Sequence, residues 1–499
     1  MNSIQGLAYG FSVALLPENL LAALVGALLG TLTGVLPGIG PVGAMALLLS
    51  ATMAFRPETA LIMMAGVYYG SQYGWSTTSI LINVPGELAS VVSCVDGYQM
   101  AKKGKAGVAL AVAAVGSFIA GTLGVVGLVL FAPTLANFAL SFGPPEYFSI
   151  CLLALFTLSM IFGGSFWKGL AILGFGFALA TTGMEPISGF PRYTFGIIKL
   201  MEGVKLVPVA VGLFGLAEVL LVAEQAGGLP HIPKVRFRDL FPSLKEWKQA
   251  LPAIFRGGLL GFFMGLLPGP SNVICTFASY GLERRISKHP EEFGRGAIEG
   301  LAGPESANNA ATSGALIPLL ALGLPFSAST AMLLAGLAIQ GVTPGPLLIS
   351  QYPQIFWGTV ASMYIGNVAL LVLNLPLVGM WVSVLRIPQS ILLALIMVFM
   401  TAGVYSINNS NVDLVVFVVM GIMGYVLRKL NFNVMPMVLA LVLGEIMEKT
   451  FVQSMNIGRG DLLIFFRRPI SGICMVLLVF TLVAPTVWRL AVSHRKGSV

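Results

Sequence analysis

The chain has 499 residues, of which 57% are hydrophobic and only 10% charged, with a net charge of +8 from 28 basic and 20 acidic residues. A soluble domain carries about 25% charged residues, so a soluble globular protein is excluded. The basic excess sits in short loops and reads as positive-inside bias rather than a nucleic-acid surface. Cys94, Cys151, Cys275 and Cys474 are scattered through apolar sequence without a Cys-x-x-Cys pair. They read as small buried hydrophobes, not as a disulfide or metal framework.

At about 20 residues per crossing, the apolar segments predict ten to twelve membrane helices. They run 9–36, 60–82, 107–131, 146–163, 166–183, 207–226, 310–341 with a break at Pro325, 353–376, 388–407, 411–427, 433–447 and 470–490. The first basic residue is Arg56, so the positive n-region of a secretory signal is missing. The first span is therefore expected to stay in an integral inner-membrane protein.

The chain then repeats itself. Residues 26–42 (GALLGTLTGVLPGIGPV) and 257–273 (GGLLGFFMGLLPGPSNV) agree at nine of 17 positions at an offset of 231. Each is a glycine-spaced helix that runs into Leu-Pro-Gly and stops. A weaker match at an offset of 240 lays Gly74 and Pro85 over Gly314 and Pro325. Broken helices at corresponding places of two halves point to the substrate site of a secondary transporter. The predicted organisation is a first membrane repeat over 1–226, a basic linker over 227–249 expected on the cytoplasmic side, a second repeat over 250–450, and a C-terminal helix and tail over 451–499. The fold class expected is an all-α polytopic membrane protein with two inverted repeats, broken or re-entrant helices and elevator-like transport. An even number of spans per repeat would instead make the repeats parallel.

The linker carries Lys234, Arg236, Arg238, Lys245 and Lys248, and the loop 283–299 carries Arg284, Arg285, Lys288 and Arg295. With both on the cytoplasmic side, residues 257–282 enter and leave on one face, as a hairpin tipped at Pro268–Asn272. Its arms 257–267 and 273–282 are expected to be too short to cross the membrane at about 1.5 Å per residue. A single kinked span is the competing geometry.

The tips supply the candidate chemistry. Pro37, Gly38, Ile39 and Gly40 in the first half, and Pro268, Gly269, Pro270, Ser271 and Asn272 in the second, interrupt helices and free backbone N–H groups. Helix N-termini facing a cavity bind anions, and Ser271 and Asn272 add neutral donors; helix capping is the plainer reading. Ser306, Asn308 and Asn309 form a second polar patch at the expected start of the 310–341 helix. Glu305 beside them is a candidate for ion coupling, or else a first-turn acid at the headgroup level. Ser76, Thr77, Thr78 and Asn83 are the first-half counterparts, although hydroxyls on helices often satisfy the preceding carbonyls. No catalytic or metal-ligating set is visible. The three histidines lie in polar loops and no Walker, Gly-x-Ser-x-Gly or His-Glu-x-x-His motif occurs.

The paired Leu36–Pro41 and Leu267–Asn272 motifs, the run Gly303–Ala311 and the run Gly341–Pro346 together resemble the large permease subunit, TctA type, of the tripartite tricarboxylate transporters. The resemblance covers essentially the whole chain. It implies a bacterial inner-membrane subunit that imports citrate or other carboxylates by ion-gradient symport, with Na+ or H+ as coupling ion and no other cofactor. It also implies two partners, a small membrane subunit of the TctB type and a periplasmic solute-binding protein of the TctC type, and no nucleic acid. A channel or a non-transporting membrane scaffold is the alternative.

Overall fold

The computed structural model describes residues 2–36, 40–162, 166–185, 189–224, 237–384 and 389–496. Among the described residues the regular structure is helical apart from a two-residue ladder, Gly183–Met184 with Pro191–Arg192. It forms two compact units, residues 1–137 with 207–426, and residues 138–206 with 427–499.

The first unit is organised around two long helices, a first core helix (Pro57–Ile82) and a second core helix (Ile298–Leu322). Each is preceded by a glycine-spaced arm and a tip helix. The first arm is Pro17–Val35 and its tip helix Gly40–Thr52; the second arm is Leu244–Gly265 and its tip helix Ser271–Ile286. The arms lie on the core helices at the closest approach that two backbones allow. A methyl at Gly26, Gly30 or Gly34 would strike the carbonyls of Met63, Val67 and Ser71. One at Gly257, Gly261 or Gly265 would strike those of Gly303, Ala307 and Ala311. The arm positions are 231 apart and the carbonyls 240 apart, the two offsets of the sequence match. Small residues four apart are what lets membrane helices pack this tightly.

Both core helices end alike. Asn83 (φ 57°) and Gly323 (φ 73°) cap them in the left-handed conformation, which satisfies terminal carbonyls. Pro85 and Pro325, two residues on, forbid continuation. The chain restarts as Val91–Met100 in one case and Ala328–Ile339 in the other. Each tip helix packs against the segment that follows the other half's break: the first against Ala328–Ile339, the second against Leu88–Ser90.

Every residue from Thr59 to Ile82 and from Gly300 to Ala321 is buried. Helices buried on all sides have no lipid-facing stripe to keep apolar, and these two bury a run of polar side chains that includes Ser76, Thr77, Glu305, Asn308, Asn309 and Thr312. Hydropathy therefore underrates them. Among the described residues five helical runs are long and apolar enough to cross a membrane: Pro17–Val35, Leu88–Ala139, Leu206–Glu224, Pro353–Asn374 and Asn411–Lys429. Five shorter apolar helices accompany them. Helices nevertheless stand at most of the expected segments, among them Pro57–Ile82, Pro144–Phe162, Pro353–Asn374 and Asn411–Lys429. The segment 9–36 is two helices, Ser3–Ala14 and Pro17–Val35, because Pro17 starts a new one. The second core helix starts at Ile298, twelve residues before the expected 310.

The second arm is also longer than expected. Ser243 and Glu246 form a capping box, and the helix runs 22 residues from Leu244. The expected shortness of the arm therefore fails as an argument for a hairpin. Ion pairing supplies a better one: Arg256 on the arm holds Glu283 on the tip helix through Nε–Oε1 (2.9 Å) and Nη2–Oε2 (2.5 Å). The two helices run antiparallel from the tip at 267–270, with their charged ends together. At the same end Asp96 Oδ1 accepts the N–H groups of Gly294 (2.9 Å), Gly296 (2.6 Å) and Ala297 (2.9 Å), while the Tyr280 hydroxyl donates to Oδ2 (3.0 Å). Asp96 so fixes the start of the second core helix.

The second unit holds Pro144–Phe162, Phe166–Ala180, Met435–Ile457 and Pro469–Lys496. Phe148 packs against the rings of Phe451 and Phe465, which stack on each other. Arg192 pairs both side-chain oxygens of Glu448 (2.7 and 3.0 Å), and Arg468 donates to Glu146 (3.0 Å).

Two outcomes follow from this packing. Gly261→Ala is expected to lower the thermal unfolding midpoint in detergent, with overpacking costing about 1–3 kcal/mol. Gly281→Ala, where nothing lies within 4 Å of the added carbon, is expected to leave it level or raise it, since alanine gains about 1 kcal/mol over glycine in a helix. Equal effects would remove the close-approach account. In a background without native cysteines, single cysteines at Lys245 and Lys288 should label from the same side of the membrane; opposite-side labelling would rule out the hairpin.

Candidate functional site

The second tip is built by composition. Gly265 ends the arm, Pro268 and Pro270 remove donors, and Gly269 adopts a φ of 139° that glycine alone takes without strain. The tip helix then starts at Ser271, and the first intrahelical bond in it runs from Ile274 N to Pro270 O (3.0 Å). The N–H groups of Ser271, Asn272 and Val273 precede that bond and lie at the positive end of the helix dipole.

Asn272 turns to the second core helix. Its Nδ2 donates to Asn308 O (3.0 Å), Asn308 Oδ1 (2.7 Å) and Thr312 Oγ1 (3.0 Å). Both amide hydrogens are therefore engaged within the protein, and what Asn272 does in this state is clamp tip to core. Ser271 is buried beside it. Thr312 in turn donates to Asn308 O (3.0 Å), so Asn308 ties three residues together.

One turn earlier lies Glu305, 2% exposed. The Ser76 hydroxyl of the first core helix donates to its Oε2 (2.6 Å), and the Ser93 hydroxyl donates to Oε1. No cationic side chain pairs with it among the described residues. Glu305 is not a first-turn acid: it stands seven residues past the helix start, and the patch 306–309 lies inside the helix rather than at its opening. Asn309 donates to Ser117 Oγ (2.7 Å) and to Glu305 O (3.1 Å), whereas the Ser306 hydroxyl has no partner.

The other sequence candidates separate. Thr77 is buried and lines a small cavity together with Ser76. Thr78 donates to Trp75 O (3.0 Å) and serves its own helix. Asn83 is exposed and has the capping role described above. Gly40 opens the first tip helix with a φ of 60°, and Pro37, Gly38 and Ile39 lie outside the described residues. The structure adds Ser93, Ser117 and Thr312, which sequence reasoning missed. Thr312 was findable, four residues after Asn308; Ser93 and Ser117 were not, since nothing local distinguishes them. Tyr68 joins them: its buried hydroxyl approaches Ser327 and Thr312 without completing a hydrogen bond. The arrangement is a column of polar groups along the second core helix at 305, 308–309 and 312, met from the side by the first core helix and the second tip. It can hold a small polar anion at the tip and a proton or cation at the carboxylate. Among the described residues no group of three or more His, Cys, Asp or Glu side chains could hold a metal ion.

Residues 20–439 match the family model described as "Tripartite tricarboxylate transporter TctA family". The chain is 46% identical over 472 residues to an "Uncharacterized 52.8 kDa protein in TAR-I ttuC' 3'region" of Agrobacterium vitis, covering 95% of this chain and 94% of that protein. It is 47% identical over 212 residues to an "Uncharacterized protein in TAR-II ttuC' 3'region" of the same organism, covering 42% of this chain and 88% of that one. No solved structure matches. The chain belongs to the tripartite tricarboxylate transporter TctA family, a family of transporters, and is a helical, multi-pass membrane protein.

The clamp at the tip has a measurable consequence. Asn272→Ala should destabilise the folded protein by about 1–3 kcal/mol, the cost of leaving buried partners unpaired. A double-mutant cycle with Thr312→Val, read by thermal unfolding, should show less than additive loss; strict additivity would mean the two side chains do not share a bond.

Proposed function

We propose that this chain is the permease subunit of a binding-protein-dependent secondary carrier. It imports tricarboxylates such as citrate, or related carboxylates, by symport with Na+ or H+ across the bacterial inner membrane. Its partners are a small membrane subunit of the TctB type and a periplasmic solute-binding protein of the TctC type. The observation that carries the reading is the recurrence of one device. In each half a glycine-spaced arm lies backbone to backbone on a broken core helix, followed by a tip, and the second core helix adds a buried carboxylate.

In this reading the two halves are inverted repeats, which their crosswise contacts favour. The substrate carboxylates sit at the tips, at Pro37–Gly40 and at Pro268–Asn272. Free N–H groups at a helix start hold an anion without burying a lysine, and Ser271 adds a hydroxyl. Asn308, with Ser306, Asn309, Ser76 and Thr77 nearby, lines the polar wall; Thr78 and Asn83 contribute least. Glu305 is the coupling group, because a buried carboxylate without a cation gains most from taking up a proton or lying near a sodium ion. Transport is elevator-like, with the tips and core helices moving as the substrate-carrying body.

Uptake of labelled citrate into proteoliposomes, with the binding protein and small subunit supplied, tests this. Wild-type uptake should saturate and depend on the ion gradient, and Glu305→Gln should lower gradient-driven uptake at least tenfold. Unsaturable flux would indicate a channel, no flux a scaffold, and wild-type gradient dependence in Glu305→Gln would remove Glu305 from coupling.

A further inference from the structure

A cavity of about 10 Å3 lies beside Glu305, between the first core helix, the helix Ala106–Ala139 and the helix Pro353–Asn374. Its apolar side is Leu110, Ala113 and Ala114; its polar side is Tyr73, Ser76, Thr77 and Asn374. A space of this size admits one water or one small ion and nothing larger.

The polar groups are poised as acceptors. Asn374 spends its amide on Leu370 O (2.9 Å), which fixes the orientation of the group, and its Oδ1 has no partner. The Tyr73 hydroxyl also has none. These residues are 4% and 2% exposed, and buried polar atoms left unpaired are costly. Ser76 gives its hydrogen to Glu305 at 2.6 Å, so the hydroxyl turns only lone pairs to the rest of its surroundings. The cavity is thus lined by oxygens with hydrogens spent elsewhere or free to rotate away. One unneutralised carboxylate stands a single hydrogen bond behind them.

We propose that this cavity is a binding site for a single desolvated monovalent cation, Na+, held by Tyr73, Ser76, Thr77 and Asn374. Hard oxygen ligands suit it, while a divalent ion requires carboxylates in direct contact, of which the cavity has none. The site deepens the carrier reading and rests on it only for the role of the ion: sodium in the cavity neutralises Glu305 through Ser76, so the coupling ion and the carboxylate act as one unit. Tyr73 and Asn374 become ion ligands, a role that neither the repeat nor the tip motifs indicate.

The test is sodium-dependent thermal stabilisation of the purified full-length protein, titrating NaCl against choline chloride at constant ionic strength. Wild type should show a saturable rise in Tm with Na+. Tyr73→Phe, which removes only the hydroxyl, and Asn374→Leu should raise the half-saturating Na+ concentration at least tenfold. Coincident Na+ and choline curves for wild type, or an unchanged sodium midpoint in Tyr73→Phe, would overturn the site. The measurement needs neither substrate nor partners. Sodium-independent uptake with coincident curves overturns the site and leaves the carrier standing. Sodium stabilisation lost in both variants, without carboxylate uptake under any gradient, supports the site and overturns the carrier.

Discussion

A membrane protein that handles polar cargo must keep polar side chains out of lipid, and that requirement shapes this chain. Its two core helices carry Ser76, Thr77, Asn308, Asn309, Thr312 and the carboxylate of Glu305, and are buried throughout from Thr59 to Ile82 and from Gly300 to Ala321. Unsatisfied polar groups at membrane depth are tolerated only where protein or a cavity surrounds them. The glycine arms provide that surround. They press backbone to backbone on the core helices, leaving no gap for lipid and no room for a side chain. Helix association in a bilayer cannot draw on the hydrophobic effect and relies on such packing, so the stripe at Gly257, Gly261 and Gly265 is what keeps Glu305 and Asn308 enclosed.

The glycine stripes and the helix breaks were legible in the sequence because they are local. Glycine spacing, Leu-Pro-Gly and the breaks at Pro85 and Pro325 each specify backbone geometry within a few residues; the left-handed cap at Asn83, a site residue by sequence alone, was not legible. The column at Ser306, Asn308 and Asn309 was visible as composition, though its depth was misjudged. Pro304 and the small residues around it suggested a helix start, whereas proline at 304 is carried inside a helix held on every side. The second arm was hidden by its charges, even though Ser243-x-x-Glu246 is a readable capping box.

What the sequence left out is non-local. Ser93 meets Glu305 across 212 residues of chain, Asn309 meets Ser117 across 192 and Asp96 meets Ala297 across 201. No pattern in one chain marks a serine as the partner of a given carboxylate. Hydropathy erred for a related reason: it scores a helix as though lipid surrounded it, and the core helices are surrounded by protein. The glycine faces were half legible. As bare sequence the glycine spacing marks a close approach without naming the partner helix; in the fold that partner is the core helix.

Glu305, Asn309 and Thr312 with Asn308 follow one another along a single face of the second core helix, at the spacing that stacks side chains turn upon turn. Their bonds overlap: Asn309 donates to the carbonyl of Glu305, and Thr312 and Asn272 both donate to the carbonyl of Asn308. The ion-side carboxylate and the tip that would meet the substrate are therefore separated by about one helical turn. A ligand shifts an equilibrium only by its differential interaction with the two states, and in the proposed carrier both ligands would act on the same short stretch of helix. Holding them this close, on a helix that cannot bend away from its glycine-packed arm, lets the occupancy of one site bear on the other without a long relay.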